Sequence, residues 1–310
     1  MRVVVTGALG HIGSRLIRAL PTSFPGAEIV LVDDLSTQRY PSLFDLPEEG
    51  RYRFVEADVL ATDLDPLLAG ADAVVHLAAI TNAEASFEKQ EEVERVNFHG
   101  TELIARACMR AGAGLIFLST TSVYGTQADV VDEDCSIEEL KPQSPYAASK
   151  LRAEQLIGRL GAEGLRSVTF RFGTIVGPSP GMRFHTAVNK FCWQAVLGKP
   201  LTVWRTALHQ RRPYLDLVDG VRAIEFVLRR GLDGRLYNVL TANASVADVV
   251  DMIREVVPDV AVTEVDSAVM NQLSYEVDDR RFRSLGFAVT GDLRRAIADT
   301  VRHLRGVRRS

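Results

Sequence analysis

A glycine turn between an apolar strand and a helix is the feature that most constrains how this chain folds. The strand spans residues 2–6, and Gly7, Gly10 and Gly13 follow it in the spacing G-x-x-G-x-x-G. In this context the spacing is typical of a dinucleotide site, because it permits a tight turn and a close approach of the backbone to a pyrophosphate. The N terminus of the helix then faces the phosphates. The cofactor contacts predicted in this turn are Gly7, Gly10, His11, Ile12 and Gly13.

Further apolar runs follow at intervals, and helical patterns separate them. The runs lie at residues 28–33, 52–56, 73–77, 114–118 and 167–172. Strands that alternate with helices imply a parallel sheet, and nearly continuous apolar strands indicate that both faces of the sheet are covered. We therefore predict the α/β class, with a Rossmann-type, doubly wound parallel sheet.

An acidic residue at the end of the second run favours NAD over NADP. Asp33 lies 20 residues after Gly13, where a carboxylate can accept hydrogen bonds from the adenosine ribose and would repel a 2′-phosphate. Asp34 strengthens this preference. Asp58 follows the third run and either contacts adenine or caps a helix. The neighbouring residues that we also predict to line the cofactor site are Ser36 and Val59.

The pattern changes after Gly173. A loop is expected at residues 177–181 and a break at 211–213, whereas a helix at 217–230 and a strand at 235–239 look able to return to the main sheet. We therefore predict two lobes, a NAD-binding Rossmann domain and a smaller α/β C-terminal substrate lobe. The first comprises residues 1–173 with roughly 214–241, and the second comprises residues 174–213 and 242–310.

Composition places the chain among ordinary globular proteins. Its 310 residues are 46% hydrophobic with a formal net charge of -4, and no long basic run favours nucleic acid. Three scattered cysteines give no metal spacing and indicate a reduced cytosol. No apolar run reaches transmembrane length, and the first strand leaves no room for a signal peptide. We expect a cytoplasmic protein with no metal, no nucleic-acid partner and no membrane partner.

Tyr146 and Lys150 are the candidate acid/base pair. Four residues apart on a helix, they share one face, and an ammonium lowers the pKa of a neighbouring phenol. Such a phenol can exchange a proton with an alcohol, and beside a nicotinamide this exchange accompanies hydride transfer. Thr120 closes the fifth run, at the edge where doubly wound sheets bind ligands. The alternative role for Thr120 is a strand-end or turn hydroxyl.

These motifs together are similar to those of the extended short-chain dehydrogenase/reductase family. The matching stretches are residues 6–13, 33–37, 76–79, 96–101, 119–125 and 144–150. They resemble above all the nucleotide-sugar epimerase and dehydratase branch, which includes UDP-glucose 4-epimerase-like proteins. The resemblance implies that Thr120 hydrogen-bonds the reacting hydroxyl, that Tyr146 is the acid/base, and that Lys150 binds the nicotinamide ribose and keeps the tyrosine pKa low.

The resemblance also implies further cofactor contacts along the sheet edge. For Asn97 a purely structural role is equally open, since this position supports the site in the family. The contacts implied are Leu77, Ala78, Ala79, Asn97, Tyr146, Lys150 and Phe172.

The three residues before Val123 discriminate among the reactions of this branch. In the 4,6-dehydratases this triplet looks like Thr-Asp-Glu, and the uronic-acid decarboxylases also carry Glu in the third place. Here the triplet is Thr120-Thr121-Ser122, and elimination needs an acid and a base that it does not supply. We therefore predict a NAD-dependent nucleotide-sugar 4-epimerase, with a transient 4-keto sugar and NAD regenerated in each cycle.

Four other functions stay open. A nucleotide-4-keto-sugar reductase would use Tyr146 and Lys150 with NADH or NADPH, although Asp33 disfavours NADPH. A 4,6-dehydratase fits the triplet poorly, and a 3,5-epimerase lacks its extra acid/base because Cys108 and Cys135 do not align with that place. A non-catalytic NAD-binding regulator would have no reason to retain all three catalytic candidates.

The substrate contacts follow from the resemblance of later segments. Thr174 stands where the family commonly has an Asn that binds the sugar diphosphate. Arg212 either clamps the diphosphate bidentately or is a solvated surface residue. Leu273 replaces a second diphosphate arginine before Tyr275, and Arg183 is placed to compensate. The predicted substrate contacts are Thr121, Ser122, Thr174, Arg183, Phe184, Asn189, Arg212 and Tyr275.

The expected partners are a small molecule and a second copy of the chain. Among nucleotide sugars, a UDP-sugar is favoured. The helices near residues 97–110 and 146–158 resemble the pair that forms a four-helix dimer interface in the family, so we expect a homodimer.

Overall fold

The computed structural model describes residues 1–125, 129–266 and 274–306. In this part of the chain the strands are β1 (Arg2–Thr6), β2 (Glu28–Asp33), β3 (Arg51–Glu56), β4 (Ala73–His76), β5 (Gly114–Thr120), β6 (Val130–Val131), β7 (Ser167–Phe172), β8 (Thr174–Val176), β9 (Leu201–Trp204), β10 (Arg211–Asp216), β11 (Leu236–Val239), β12 (Ala242–Ser245), β13 (Val262–Val265) and β14 (Glu276–Val277). The α-helices are α1 (His11–Ser23), α2 (Leu64–Leu68), α3 (Gln90–Glu94), α4 (Gly100–Ala111), α5 (Pro145–Ala162), α6 (Ala187–Val196), α7 (Leu217–Arg230), α8 (Val246–Arg254), α9 (Arg280–Arg283) and α10 (Leu293–Leu304). A π-helical turn, Arg95–His99, joins α3 to α4.

Seven strands form one parallel sheet in the order β11-β7-β5-β4-β1-β2-β3. Each neighbouring pair in this sheet is parallel, and every residue of β4 and β5 is buried. The chain runs outward from β1 to β3 and then crosses back to β4, so the strand order reverses between β1 and β4. This arrangement confirms the predicted α/β class, and its switch point is where such sheets bind ligands.

Helices cover both faces of the large sheet. On one face, α1 and α7 bury Leu16 and Ile224 against the strands. On the other face, α4 and α5 bury Ile104 and Leu156. A third core lies among α6, α8 and α10 and contains Phe191, Ile253 and Ile297. No helix within the described ranges has the length and apolar character needed to cross a membrane.

The strand predicted to return to the main sheet is present. Leu236–Val239 pairs in parallel with β7, and Tyr237 stands opposite Phe170. The preceding helix, α7, has the predicted bounds. The limits of the two predicted lobes themselves stay a prediction.

The predicted break at residues 211–213 is wrong. Arg211–Asp216 forms β10, the middle strand of a three-stranded sheet with the order β12-β10-β8. Pro213 stands opposite Asn243 of β12, whereas the parallel pairing with β8 begins only at Tyr214. A proline is tolerated in a strand where its nitrogen need not donate a hydrogen bond to a neighbouring strand. Pro213 precedes the part of β10 that pairs with β8.

Candidate active site

The glycine turn packs tightly between α1 and the segment after β4. Gly7 has φ +63°, and a Cβ on it would lie 2.6 Å from the backbone nitrogen of Ala78. A Cβ on Gly13 would lie 2.5 Å from the carbonyl oxygen of Gly7, so only glycine lets α1 approach the turn this closely. Among the described residues, no side chain caps the N terminus of α1 at Gly10. Its N–H groups and the helix dipole therefore suit an anion such as a pyrophosphate.

Asp33, at the end of β2, is held by backbone groups on both sides. Its Oδ2 accepts a hydrogen bond from the Leu9 nitrogen at 3.0 Å, and its Oδ1 accepts one from the Leu35 nitrogen at 3.1 Å. Burial raises the pKa of Asp33, while these hydrogen bonds lower it. Leu35 has φ +56°, a conformation that is uncommon for leucine. The carboxylate therefore has a fixed position beside the glycine turn, as a contact to a ribose requires.

Arg39 is a residue of this region that the sequence analysis missed. Burial lowers the pKa of Arg39, and Asp33 raises it. Its Nη1 lies 3.8 Å from the point where a Cβ on Gly10 would stand. A cation from the loop after β2 thus faces the glycine turn. In the sequence it is a lone arginine six residues after Asp33, and that pattern does not reveal which way the loop folds.

The side chains of Asp34 and Asp58, two predicted cofactor contacts, accept hydrogen bonds from residues close to them in sequence. Oδ1 of Asp34 accepts hydrogen bonds from the nitrogen and the hydroxyl of Ser36, at 3.0 and 2.7 Å. Oδ1 of Asp58 accepts one from the nitrogen two residues on, at 2.9 Å, whereas Asp63 caps α2. Asp58 therefore closes a turn after β3, and the alternative in which it caps a helix is wrong. These contacts leave further lone pairs on both carboxylates.

The side chains of His11 and Ile12 contact other parts of the protein. Nε2 of His11 lies 2.7 Å from the carbonyl oxygen of Gly177, and burial lowers the pKa of His11 to about 4. The ring is therefore neutral at pH 7, and its Nε2–H donates to that carbonyl. Ile12 packs partly buried against the core on the α1 side of the sheet, and Val59 is buried in the opposite core. A phosphate contact at His11 would therefore come from its backbone.

Asn97 holds the segment after β4 against α5. It lies in the π-helical turn and is fully buried. Its Oδ1 accepts a hydrogen bond from the Ile80 nitrogen at 2.8 Å, and its Nδ2 donates to the Ile80 oxygen at 2.9 Å and to the Ser149 hydroxyl at 3.1 Å. These bonds use both the oxygen and the nitrogen of the amide, which supports the structural role for Asn97. The segment that it positions contains Leu77, Ala78 and Ala79.

Thr120 and Tyr146 meet where β5 ends and α5 begins. The hydroxyl of Ser144 accepts a hydrogen bond from the Ala147 nitrogen at 3.2 Å, and this cap fixes Tyr146 in the first turn of α5. The Thr120 side chain lies close enough to the phenol of Tyr146 to lower its pKa. The Thr120 hydroxyl also lies 3.2 Å from the Ser122 hydroxyl. The structure thus brings the predicted acid/base beside a second hydroxyl.

Lys150 lies one turn further along α5 and is only 3% exposed. Its Nζ lies 4.7 Å from the centroid of the Phe117 ring, a distance that suits a cation–π interaction. Burial lowers the pKa of Lys150 to about 7; Glu154 raises this pKa, and Arg183 lowers it. Lys150 is therefore close to its titration midpoint at neutral pH.

Arg183 is a cation that acts on Tyr146. Burial raises the pKa of Tyr146, and the charge of Arg183 and the side chain of Thr120 lower it. The Tyr-x-x-x-Lys spacing predicts the same effect for Lys150, and that effect stays a prediction. Arg183 comes from the loop before α6, so sequence spacing along α5 could not reveal it.

Arg183 is partly buried, and it lies close enough to both Arg39 and Tyr146 for their charges to affect its pKa. Its guanidinium donates a hydrogen bond to the Thr81 hydroxyl, and its Nε is buried with no hydrogen-bond partner among the described residues. Burial and the charge of Arg39 together lower the pKa of Arg183 to about 10. The Arg183 oxygen accepts a hydrogen bond from Nδ2 of Asn189 at 3.1 Å. Asn189 therefore positions the arginine, and the arginine is placed to bind an anionic ligand.

Phe184 and Trp193 form an aromatic pair beside Arg183. Their ring centroids lie 5.3 Å apart, and Phe184 is 38% exposed. An exposed aromatic face next to a cation suits a flat ring such as a nucleobase.

Two of the remaining substrate candidates, Tyr275 and Thr121, contact each other. The Tyr275 hydroxyl donates to the Thr121 oxygen at 3.0 Å, and the Thr121 hydroxyl lies 3.4 Å from the Phe172 oxygen. The Arg212 guanidinium lies 4.8 Å from the centroid of the Tyr275 ring. Thr174 is half-buried at the start of β8. Leu273 lies outside the described residues, so its predicted replacement of a diphosphate arginine stays a prediction.

Comparison with known proteins decides the family. The model of the NAD dependent epimerase/dehydratase family matches residues 3–239. The chain belongs to this family. The match confirms the predicted branch and NAD as the cofactor.

Relatives within the family carry out different reactions. The chain is 31% identical over 301 residues to a trifunctional UDP-glucose 4,6-dehydratase/UDP-4-keto-6-deoxy-D-glucose 3,5-epimerase/UDP-4-keto-L-rhamnose-reductase of Arabidopsis thaliana, covering 92% of this chain and 44% of that protein. It is 32% identical over 309 residues to a dTDP-glucose 4,6-dehydratase of Streptomyces griseus, covering 96% and 92%. The chain thus spans less than half the length of the Arabidopsis relative.

A solved structure agrees over the whole fold. The UDP-glucuronic acid 4-epimerase from Bacillus cereus, in complex with UDP-glucuronic acid and NAD, superposes with a TM-score of 0.88 and 27% identity, covering 99% of both chains. This likeness confirms the Rossmann-type architecture. Among the described residues of the present chain, no group of three or more His, Cys, Asp or Glu side chains could hold a metal ion.

Proposed function

We propose that this protein is a NAD-dependent nucleotide-sugar 4-epimerase. The observation that carries the proposal is the placement of Tyr146 beside Thr120, whose side chain lowers the pKa of the phenol, together with hydroxyl residues rather than carboxylates at Thr121 and Ser122. This arrangement supports proton exchange with one sugar hydroxyl. It offers no second acid and base for the loss of water.

The described residues fit NAD. The tight turn at Gly7 and the close packing at Gly13 leave the N terminus of α1 open to a pyrophosphate. Asp33 is fixed where an adenosine ribose would be held. Arg39 adds a positive charge beside the turn, which suits phosphate groups.

The proton chemistry belongs to Tyr146. As a phenolate, Tyr146 would take the proton of the C4 hydroxyl, with Thr120 fixing the direction of approach. NAD, held by the glycine turn and Asp33, would supply the hydride acceptor and donor that the change of configuration at C4 requires. After the 4-keto sugar has rotated, Tyr146 would give its proton back to the C4 oxygen. The positive charges of Lys150 and Arg183 favour the phenolate that starts the cycle.

A keto-sugar reductase is the second candidate. It would use the same Thr120, Tyr146 and Lys150, but it would need NADH or NADPH as a consumed reagent. Because some relatives are dehydratases, elimination of water is a further reaction to consider. Thr121 and Ser122, however, supply neither of the acids that elimination requires. An epimerase differs from both because it gives a product without added reductant.

A UDP-sugar with a negative charge near C4 fits the site best. The guanidinium of Arg183 acts on Tyr146 and has a buried Nε without a partner among the described residues. A carboxylate on the sugar carbon next to C4 would gain from this cation. The B. cereus 4-epimerase was solved with UDP-glucuronic acid, which makes this sugar the leading candidate.

The first experiment is a substrate panel without added reductant. The protein, loaded with NAD, is incubated with UDP-, dTDP-, GDP- and CDP-sugars that include UDP-glucuronic acid, and anomeric protons are followed by NMR. We expect one sugar to give its C4 epimer at a constant final ratio. A product that forms only from 4-keto sugars with NADH or NADPH would instead establish the reductase.

Tyr146→Phe tests the acid/base assignment. We expect kcat to fall by a factor of about 10² to 10⁴, the usual contribution of general acid–base catalysis, while NAD binding is retained because the rings have the same shape. The control is Tyr40→Phe, since Tyr40 is an exposed tyrosine outside the site. A kcat within twofold of wild type for Tyr146→Phe would contradict the mechanism.

A further inference from the structure

A short turn after β5 carries the hydroxyl residues of the site. Thr121–Val123 forms one turn of 3₁₀ helix directly after Thr120, and we call these three residues the Thr121 turn. The Thr120 hydroxyl accepts a hydrogen bond from the Ser122 nitrogen at 3.2 Å, and this bond caps the turn. The direction of the Thr120 hydroxyl therefore depends on the conformation of the Thr121 turn.

The carbonyl group of Thr121 accepts a hydrogen bond from a distant part of the chain. The Tyr124 nitrogen donates to this oxygen at 3.2 Å and closes the turn, while the Tyr275 hydroxyl donates to it at 3.0 Å. A carbonyl oxygen has two lone pairs, so both bonds can form at the same atom. Tyr275 thus fastens the first carbonyl group of the Thr121 turn from outside the turn.

The backbone around Tyr275 is held by strands on several sides. β14 pairs in parallel with β6. The Asn243 side chain of β12 accepts a hydrogen bond from the Val277 nitrogen and donates one to the Val277 oxygen, at 3.0 Å in both cases. The Tyr275 nitrogen donates to the Arg211 oxygen of β10 at 3.2 Å. The phenol therefore extends from a backbone that β6, β10 and β12 fix in place.

The ring of Tyr275 contacts a candidate substrate residue and the core behind the Thr121 turn. The Arg212 guanidinium lies 4.8 Å from the centroid of the Tyr275 ring, a distance that suits a cation–π interaction. The Tyr124 and Tyr275 ring centroids lie 6.3 Å apart, and both rings belong to one buried cluster with Val123. Tyr275 thus contacts both the candidate diphosphate clamp and the turn beside Thr120.

The hydroxyl of Tyr275 has a defined partner within the protein. A tyrosine hydroxyl has one proton to donate, and this one is donated to Thr121 by a ring that is only 5% exposed. A phenylalanine would fill the same part of the core, so packing alone does not require the hydroxyl. The hydroxyl adds a directional bond that packing does not supply.

We propose that Tyr275 is a positioning residue rather than a substrate contact: its hydroxyl fixes the Thr121 turn, and its ring supports Arg212. The proposal rests on the proposed function, because that function assigns Thr120 to the reacting hydroxyl. The two parts of the side chain then have separable effects. The hydroxyl acts on the rate of the chemical step, since a displacement of about 1 Å in a site can lower a rate about 10²-fold. The ring acts on the binding of the nucleotide sugar.

The first test observes the Thr121 turn without any reaction. The protein is labelled with ¹³C-methyl threonine, and the signals of Thr120 and Thr121 are assigned with single Thr→Ser variants. We expect both signals to shift in Tyr275→Phe and to stay unchanged in Tyr52→Phe. Tyr52 is the matched control, because its hydroxyl donates to the Ile17 oxygen, also at 3.0 Å. Unchanged threonine signals in Tyr275→Phe would overturn the proposal, whatever reaction the protein catalyses.

The kinetic test separates the hydroxyl from the ring. With the substrate that the panel identifies, in epimerisation or in reduction, Tyr275→Phe should lower kcat by a factor of about 10 to 100 and leave KM unchanged. Tyr275→Leu also removes the ring that supports Arg212, so it should raise KM in addition. A raised KM with a normal kcat in Tyr275→Phe would show that the hydroxyl binds substrate and would refute the proposal. The same kcat in Tyr275→Phe and Tyr52→Phe would refute it too.

A measurement on the wild-type protein keeps the proposal testable if Tyr275→Phe does not fold. The chain has seven tyrosines, and Tyr→Phe variants at the other six assign the spectrum of a protein labelled with ¹³Cζ-tyrosine. In an equal mixture of H₂O and D₂O, a hydroxyl that exchanges slowly gives two Cζ signals. We expect two signals for Tyr275 and one averaged signal for the exposed Tyr40. One averaged signal for Tyr275 would contradict the hydrogen bond to Thr121 and with it the proposal.

Discussion

At the scale of single residues, Tyr146 is affected by two side chains from other elements, because Thr120 and Arg183 both lower its pKa. Thr120 and Tyr146 could be predicted because one ends an apolar strand and the other begins a helix with a lysine at the right spacing. The influence of Arg183 on Tyr146 could not be predicted, because 37 residues separate them and only the fold brings their side chains together. The lowering of the Tyr146 pKa by Lys150, which the spacing predicts, stays a prediction, and Arg183 adds a second cation.

His11 gives a prediction about stability and pH. The pKa of His11 is about 4 in the folded protein, against an ordinary histidine value of 6.5, so between these values the unfolded chain binds the extra proton. The free energy of unfolding therefore falls as pH drops from 6.5 to 4, by up to about 3 kcal/mol. In His11→Gln this contribution is absent, while an amide can still donate to Gly177.

Urea unfolding at pH 7.5, 6 and 5 checks this prediction. We expect His11→Gln to be less stable than wild type at pH 7.5 and to lose less stability on acidification, so that the two curves converge or cross. The exposed His303 provides the control, and His303→Gln should follow the wild-type curve. Parallel curves for His11→Gln and wild type would show that burial does not perturb His11.

At the scale of elements, the apolar runs predicted the large sheet because parallel strands buried on both faces need nearly continuous apolar residues. The small sheet around β10 was not predicted, because Arg211, Arg212 and Pro213 have no strand-like character. Their strand is imposed by pairing with β8 and β12. Local propensity is overridden by tertiary pairing in such short strands.

Two helical glycines make a matched pair for testing the glycine turn. A Cβ on Gly13 would lie 2.5 Å from the Gly7 oxygen, whereas one on Gly158 in α5 would meet no atom within 4 Å. Gly13→Ala should push α1 from the turn, weaken NAD binding at least tenfold and lower the free energy of unfolding. Gly158→Ala should raise the free energy of unfolding by up to about 1 kcal/mol, the difference in helix propensity.

Calorimetric NAD titration and urea unfolding measure both effects of these two variants. Equal NAD affinity in Gly13→Ala and wild type would contradict the role of the close packing. It would also remove the main reason for placing the pyrophosphate at the N terminus of α1.

At the scale of the whole molecule, one buried carboxylate ties the C-terminal segment to α7. Asp219 is fully buried, and it accepts hydrogen bonds from the nitrogens of Thr290 and Gly291 at 2.9 Å and from the Thr241 hydroxyl at 2.8 Å. Sequence patterns could not show this link, since an acidic residue in the first turn of a helix is ordinary. The predicted lobe limits and the predicted homodimer stay predictions at this scale.

Asp219→Ala should loosen the attachment of α10. Several buried donors would lose their acceptor at about 1–3 kcal/mol each, so we expect a loss of about 2–5 kcal/mol in the free energy of unfolding and faster proteolysis after residue 286. The control is Asp251→Ala, because that carboxylate is 71% exposed. A loss below about 0.5 kcal/mol for Asp219→Ala would show that these hydrogen bonds do not hold the segment.

The most direct test of the account is the fate of the C4 hydrogen. The NAD-loaded protein is incubated in D₂O with UDP-glucuronic acid and UDP-glucose, without added reductant, and the product is analysed by ¹H NMR. We predict a C4 epimer that keeps protium at C4, because the hydride leaves and returns without exchange with solvent. A 6-deoxy-4-keto product that carries solvent deuterium, or a product that requires added NADH, would contradict it.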